Sequence, residues 1–317
     1  MVGKGAKIGA LGRRIGSYDS GRSGPLLLVT AAIHGNEPAG VTALQRVFAA
    51  LEKHQPRIEG RIVGLVGNLG ALQRQVRYLD IDMNRLWSPR AVKALLAADP
   101  ALDNAEQREQ RELIAEMELE LARPATEVLH LDLHSTSGAG PPFTVVDARP
   151  DNQRAAQALP VPAILGLLKN VEGTVLDFAA AREFPCLVLE GGQNEASSTP
   201  DHHEAALWLL MHSLGMFKEL PGIDLNGLKA RLEQSVSGLP AAVEICLRYH
   251  VEEGERFTML PGFRSFQPVR QGELLAMGGK SGVREIRCPL GSILLMPRYQ
   301  GQGADGFFLA RAVDLAG

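Results

Sequence analysis

Leu26-Leu27-Leu28-Val29-Thr30-Ala31-Ala32-Ile33 has the composition of a strand buried on both faces, and it runs straight into His34-Gly35-Asn36-Glu37. A strand of this type belongs to a sheet covered by helices, so it points to an α/β architecture. Gly35 permits a sharp turn, and Pro38 suits the first turn of a helix predicted over 38–53. The His-x-x-Glu motif therefore falls at the C-terminal end of a strand, where open α/β sheets place their sites. Val128-Leu129-His130-Leu131-Asp132-Leu133 repeats the arrangement, with His134 as the first residue past a second strand.

His34 and Glu37 can bring one imidazole and one carboxylate from a single turn to the same cation, and His134 would add a third ligand. Two histidines and a glutamate, with a fourth position left for water, match a hydrolytic zinc site rather than a closed structural one. Spacing alone favours two loop histidines with ordinary hydrogen-bond partners. The chain also carries its own control: His250-Val251-Glu252-Glu253 has the same spacing, yet it lies in a charged run and reads as a solvated strand end. Two motifs that each end a strand favour zinc.

Around these motifs, residues 20–220 alternate strand and helix patterns. Strands are predicted at 26–33, 61–67, 127–133, 142–147, 162–167 and 185–190, and helices at 38–53, 104–122 and 200–218. The predicted fold is α/β, a mixed central sheet flanked by helices. Thr199-Pro200-Asp201 reads as a helix start that leaves His202 and His203 on an exposed first turn, away from any metal. At Pro221-Gly222 the pattern changes to a helix over 224–235 followed by short strands at 242–250, 255–259, 264–269, 273–277, 283–287, 292–296 and 306–312. These spacings predict a smaller C-terminal all-β domain, barrel- or sandwich-like, giving domains 1–220 and 221–317. Gly301-Gln302-Gly303-Ala304-Asp305-Gly306 precedes no helix and reads as a loop or hairpin.

Net charge is −3, which offers no basic face for nucleic acid. No apolar stretch approaches the ~20 residues of a membrane span. Met1 to Gly12 carries Lys4 and Lys7 without an apolar core, unlike a signal peptide. Cys186, Cys246 and Cys288 are an odd number at wide spacings and form no disulfide framework, so a cytoplasmic setting is expected. Association into a homo-oligomer is left open.

Hydrolysis also needs a proton shuttle. Glu190, ending the apolar strand Leu187-Val188-Leu189 before Gly191-Gly192, is costly to place there without a task, although it could simply cap loop amides. Arg77-Tyr78-Leu79-Asp80-Ile81-Asp82-Met83-Asn84-Arg85 offers a positive partner for an oxyanion and a fork for a carboxylate; a solvated loop of local Asp–Arg pairs explains the same residues equally well. Asp80 and Asp82 fit such pairs, or a role orienting a histidine or arginine.

Taken in order, His34-Gly35-Asn36-Glu37, Arg77-Tyr78-x-Asp80-x-Asp82-x-Asn84-Arg85, Asp132-Leu133-His134-Ser135-Thr136 and Glu190-x-Gly192 resemble the succinylglutamate desuccinylase/aspartoacylase family of the zinc carboxypeptidase clan. The resemblance covers most of residues 25–220. It implies one Zn2+ per chain on His34, Glu37 and His134, with Glu190 as general base and acid and Arg77 at the oxyanion. It further implies Asn84 and Arg85 on a substrate carboxylate and a C-terminal β domain over the mouth of the site. Asn68 matches a family asparagine more loosely. Arg182 is the nearest candidate for a second carboxylate-binding arginine, though it lies closer to Glu190 than the family pattern has it. Tyr299, in Met296-Pro297-Arg298-Tyr299, matches a pocket tyrosine by position. The implied reaction is hydrolysis of the amide in a small anionic N-acyl amino acid, releasing a carboxylate and a free amine. A carboxypeptidase for short peptides and a non-catalytic partner-binding module are the rival readings. The residues around Gly192-Gln193-Asn194 match neither branch closely enough to name the acyl group.

Overall fold

The computed structural model describes residues 11–147 and 149–314, so Lys4 and Lys7 lie outside it. In chain order the first half holds β1 (Arg14–Asp19), β2 (Leu26–Ala31), α1 (Ala39–His54), β3 (Arg61–Val66), α2 (Leu69–Arg74), α3 (Pro89–Ala97), α4 (Ala105–Leu121), β4 (Val128–Thr136) and β5 (Phe143–Val145). Then come α5 (Pro150–Gln157), β6 (Ala163–Leu165), α6 (Val175–Ala180), β7 (Cys186–Gln193), α7 (Ser198–Ser213) and α8 (Leu225–Ser235). The last third holds β8 (Ala242–His250), β9 (Thr258–Met259), β10 (Gln267–Val269), β11 (Leu274–Gly278), β12 (Arg284–Arg287), β13 (Ser292–Leu295) and β14 (Asp305–Val313).

Every residue of β2 is buried, as its composition demands. Leu27, Val29 and Ala31 face a core built with α1 and α7, whereas Leu26 and Leu28 face a second core with Trp87, α3 and α4. That two-residue alternation between two apolar layers is why no polar residue interrupts the strand beyond Thr30. β3, β2, β4 and β7 run parallel at the centre, β1 closes one edge antiparallel to β3, and β5 lies antiparallel to β7. Among the described residues, no helix is long and apolar enough to cross a membrane.

The strand-rich C-terminal region begins after α8, but its hydrogen bonding continues the central sheet. β8 pairs in parallel with β6, Ala163 lying opposite Ala242, and the order then runs on through β14, β13 and β10. Only β12, β11 and β9 form a separate small sheet. Two boundaries also move. β4 extends through Thr136 because β7 runs alongside it, so His134 lies within the strand, opposite Glu190. The helix expected from residue 200 starts at Ser198, with Ser197 at its N-cap.

A buried carboxylate ties the loop after α2 to α4. Glu106 is fully buried and accepts the backbone amides of Leu79, Asp80 and Ile81 at 2.6–3.1 Å, plus the Asn68 side-chain amide at 3.1 Å. Removing it leaves a buried side-chain amide and three part-buried backbone donors without their acceptor, so Glu106→Ala is expected to destabilise the fold by about 3 kcal/mol. Thermal unfolding measures the loss, and a melting temperature equal to wild type would contradict this account of the loop.

Candidate metal centre and active site

The chain leaves β2 through Ala32, whose φ of 56° is unusual for a residue with a Cβ. A Cβ on Gly35 would lie 2.1 Å from the backbone carbon of Ala71, so α2 packs where only glycine fits. The Glu37 amide donates to His34 O at 3.1 Å, closing the turn that turns both side chains towards β4. His34, Glu37 and His134 are all buried, and one ligand atom from each lies within 4.8 Å of the others.

Both imidazoles turn Nδ1 to Glu37, His34 Nδ1 lying 2.9 Å from Oε1 and His134 Nδ1 2.9 Å from Oε2. Their Nε2 atoms face outward to carboxylates, His34 to Asp82 Oδ1 at 3.1 Å and His134 to Asp132 Oδ2 at 2.8 Å. The outer carboxylates keep a proton on each Nε2, so with a cation in place both Nδ1 lone pairs turn to it beside the glutamate, and without one His134 Nδ1 donates to Glu37 Oε2 at 2.9 Å. His34 Nδ1 is close to Glu37 but not aligned for a hydrogen bond, so it remains a buried ring nitrogen without a partner. A divalent cation satisfies that atom and the whole donor set, and carboxylates behind the histidines are the usual support for such ligands. Burial alone would raise the Glu37 carboxyl, but His34 and His134 outweigh it and hold the pKa low. Burial likewise opposes charge on His134, yet Asp132 and Glu37 raise its pKa well above the ordinary value.

Asp132 is itself held by Thr30 Oγ1 at 2.7 Å, and Thr30 lies 3.0 Å from His130 Nε2. Burial pushes His130 down to about 4, so this ring stays neutral near pH 7 and donates to Thr30. The chain His130–Thr30–Asp132 thus fixes the orientation of His134 from inside the sheet.

Next to the histidines opens a cavity of about 130 Å3, large enough to hold several waters. Glu190 and Arg77 both line it. Glu190 Oε2 is buried without a hydrogen-bond partner. Burial pushes this carboxyl up to about 7, with His134 pulling it down and Glu37 pushing it up. Arg77 is steered by Asp82, which accepts from Nε at 3.2 Å and Nη2 at 3.1 Å, while Nη1 lies 3.3 Å from Glu37 Oε1. Asn84 and Arg85 line the same cavity. Asn84 Oδ1 accepts the Val175 amide at 3.2 Å, and Arg85 Nη2 pairs with Asp305 Oδ2 at 2.7 Å.

The sequence model for the succinylglutamate desuccinylase/aspartoacylase catalytic domain matches residues 23–210. The chain belongs to this family. The succinylglutamate desuccinylase of Pseudomonas fluorescens is 34% identical over 113 residues, which cover 36% of this chain and only 31% of that protein. The one from Shewanella frigidimarina is 22% identical over 271 residues, covering 81% and 74% respectively. Among solved structures, a succinylglutamate desuccinylase/aspartoacylase from Rhodobacter sphaeroides superposes with a TM-score of 0.65 at 18% identity, covering 92% of this chain and 87% of that one. An ectoine utilization protein from Ruegeria pomeroyi, solved with product bound, gives 0.64 at 18% identity over 93% and 87%. At these identities the structures establish a shared fold.

Three residues carried over from the family pattern do not line the cavity. Asn68 is fully buried as the N-cap of α2, accepting the Ala71 amide at 2.9 Å and donating to Glu106, so its polar atoms are spent on structure. Arg182 pairs with Glu118 and lies over the Phe178 ring at 3.6 Å. Tyr299 turns its hydroxyl to Leu260 O at 2.8 Å and Phe263 O at 3.1 Å. His202 and His203 are not exposed. His202 Nδ1 lies 2.7 Å from Gly191 O and His203 Nε2 2.9 Å from His134 O, because α7 packs directly beneath β7. They brace the site from below. Residues that sequence reasoning left out of the site, Arg298, Gln300, Gly303 and Asp305, line the cavity from the segment that runs from β13 into β14.

Proposed function

We propose that this chain is a zinc-dependent amidohydrolase that cleaves the amide of a small anionic N-acyl amino acid, releasing a carboxylate and a free amine. The observation that carries the reading is Glu190. A half-buried carboxyl whose Oε2 has no partner, pushed to about 7, sits across the strand pair from His134 and opens into the same cavity as the His–Glu–His group. A carboxyl in that range can take a proton in one step and return it in the next. Family membership and the family name of the relatives support the same reaction class.

His34 Nδ1, Glu37 and His134 Nδ1 would hold the zinc, which when bound supplies a Lewis acid for the amide carbonyl and activates water. The Glu190 carboxyl accepts the proton that the attacking water gives up. Water oxygen adds to the carbonyl carbon, and Arg77, held by Asp82, donates to the negative oxygen that develops. Glu190 then gives its proton to the nitrogen as the C–N bond breaks. Asp82 and Asp132 keep the two imidazoles turned inward throughout.

Purified protein with one equivalent of zinc should release free amine from N-acetyl- or N-acyl-amino acids faster than from a short unblocked peptide. Turnover of the peptide alone would instead identify a carboxypeptidase. No turnover of any substrate with zinc loaded would leave a binding module on a hydrolase scaffold.

A further inference from the structure

Three arginines line the cavity, and they are not equivalent. Arg77 is engaged by Asp82 and Glu37. Arg85 is engaged by Asp305, which also binds Arg248 Nε at 2.6 Å, so both Asp305 oxygens are committed. Among the described residues Arg298 has no carboxylate partner. Its guanidinium gives one N–H to Gly303 O and lies 4.9 Å over the Phe257 ring, while its Nε is buried without any partner. The cavity therefore presents one uncommitted cation, supplied by the C-terminal region.

Part of the cavity lining is apolar. Val145, Val171, Leu176, Val188 and Phe308 all line the cavity and all belong to one continuous buried cluster. A carboxylate laid against them would lose its water and gain no partner. A carboxylate brought to Arg85 would have to share it with Asp305, a like charge at the same guanidinium.

We propose that the cavity selects substrates with a single carboxylate. Arg298 binds that carboxylate, and the other arm of the substrate is uncharged and packs on the Val145–Val188–Phe308 wall. This rests on the amidohydrolase reading and narrows its substrate class to monoanionic N-acyl amino acids with an aliphatic arm. Asp305 acts as the excluding element, because it occupies the arginine that a second carboxylate would need.

Binding and turnover separate this inference from the reaction itself. The Glu190→Gln protein, loaded with zinc, is titrated calorimetrically with N-butyryl-leucine, N-butyryl-glutamate, N-succinyl-leucine and N-succinylglutamate. N-butyryl-leucine is expected to bind at least tenfold more tightly than each compound bearing an additional carboxylate. Adding Arg298→Leu should weaken that binding at least tenfold, and Arg298→Lys should recover only part of it, because lysine lacks the fork. Adding Asp305→Asn should narrow the gap for N-succinylglutamate by releasing Arg85. Equal or tighter binding of N-succinylglutamate, no binding of any compound, or unchanged affinity in Arg298→Leu overturns the inference. The four-ligand comparison needs no Arg298 variant, so it stands even if those variants fold poorly. Wild-type turnover of the same panel reads the reaction separately: hydrolysis with the opposite preference sinks the selectivity alone, and no hydrolysis sinks the amidohydrolase reading.

Discussion

Glu190→Gln is expected to lower kcat at least ~100-fold, about 2.7 kcal/mol in the barrier, while metal content and fold are kept. The amide has nearly the shape of the carboxyl but cannot accept and return a proton near pH 7. The backbone around it is fixed independently, since β7 pairs with β4 through His134 and with β5 through Phe143. Oε2 has no hydrogen-bond partner to lose, so little stability depends on it. A merely structural glutamate would show the reverse pattern, near-normal turnover with a lowered melting temperature. Steady-state kinetics beside a thermal melt distinguishes the two, and turnover within a few-fold of wild type would assign Glu190 to structure.

His134→Ala is expected to abolish metal binding and reduce activity to background, with a stability loss of about 3–5 kcal/mol. Two buried carboxylates, Glu37 and Asp132, lean on this one ring at 2.9 and 2.8 Å. Removing the imidazole leaves both facing each other's field without a cation between them. His34→Ala removes the same kind of contact from Glu37 and Asp82, but Asp82 keeps Arg77, so its stability cost should be smaller. Denaturant unfolding of the two variants tests that order. A His134→Ala protein as stable as wild type would show that the carboxylates do not depend on the ring.

The meeting of His34, Glu37 and His134 was legible because each residue follows from local chemistry. A doubly buried strand must end in a loop, Gly35 must be glycine where α2 packs, and an imidazole and a carboxylate three residues apart then face one point. Glu190 was legible for the complementary reason, a charged residue on a strand otherwise apolar. The long-range contacts were not. Arg85 and Asp305 are 220 positions apart, and nothing in Gly301 to Gly306 announces that this loop reaches the cavity. Arg298 lines the cavity and its neighbour Tyr299 does not, because adjacent side chains leave the backbone in different directions, one inward and one towards Leu260 and Phe263. His202 and His203 were placed on the wrong side of α7 for a related reason. The helix is covered by α1, α8 and β7, so even its polar first turn lies inside. The sheet's continuation from β6 to β8 was hidden as well, since parallel pairing across α8 leaves no mark in either strand's composition.

The account stands on a metal held by His34, Glu37 and His134 with Glu190 beside it, and stoichiometric metal analysis of the folded proteins tests this most directly. It predicts one zinc per chain in wild type and in Glu190→Gln, and none retained in His34→Ala or His134→Ala after dialysis against weak chelator. Full zinc in both histidine variants would contradict it.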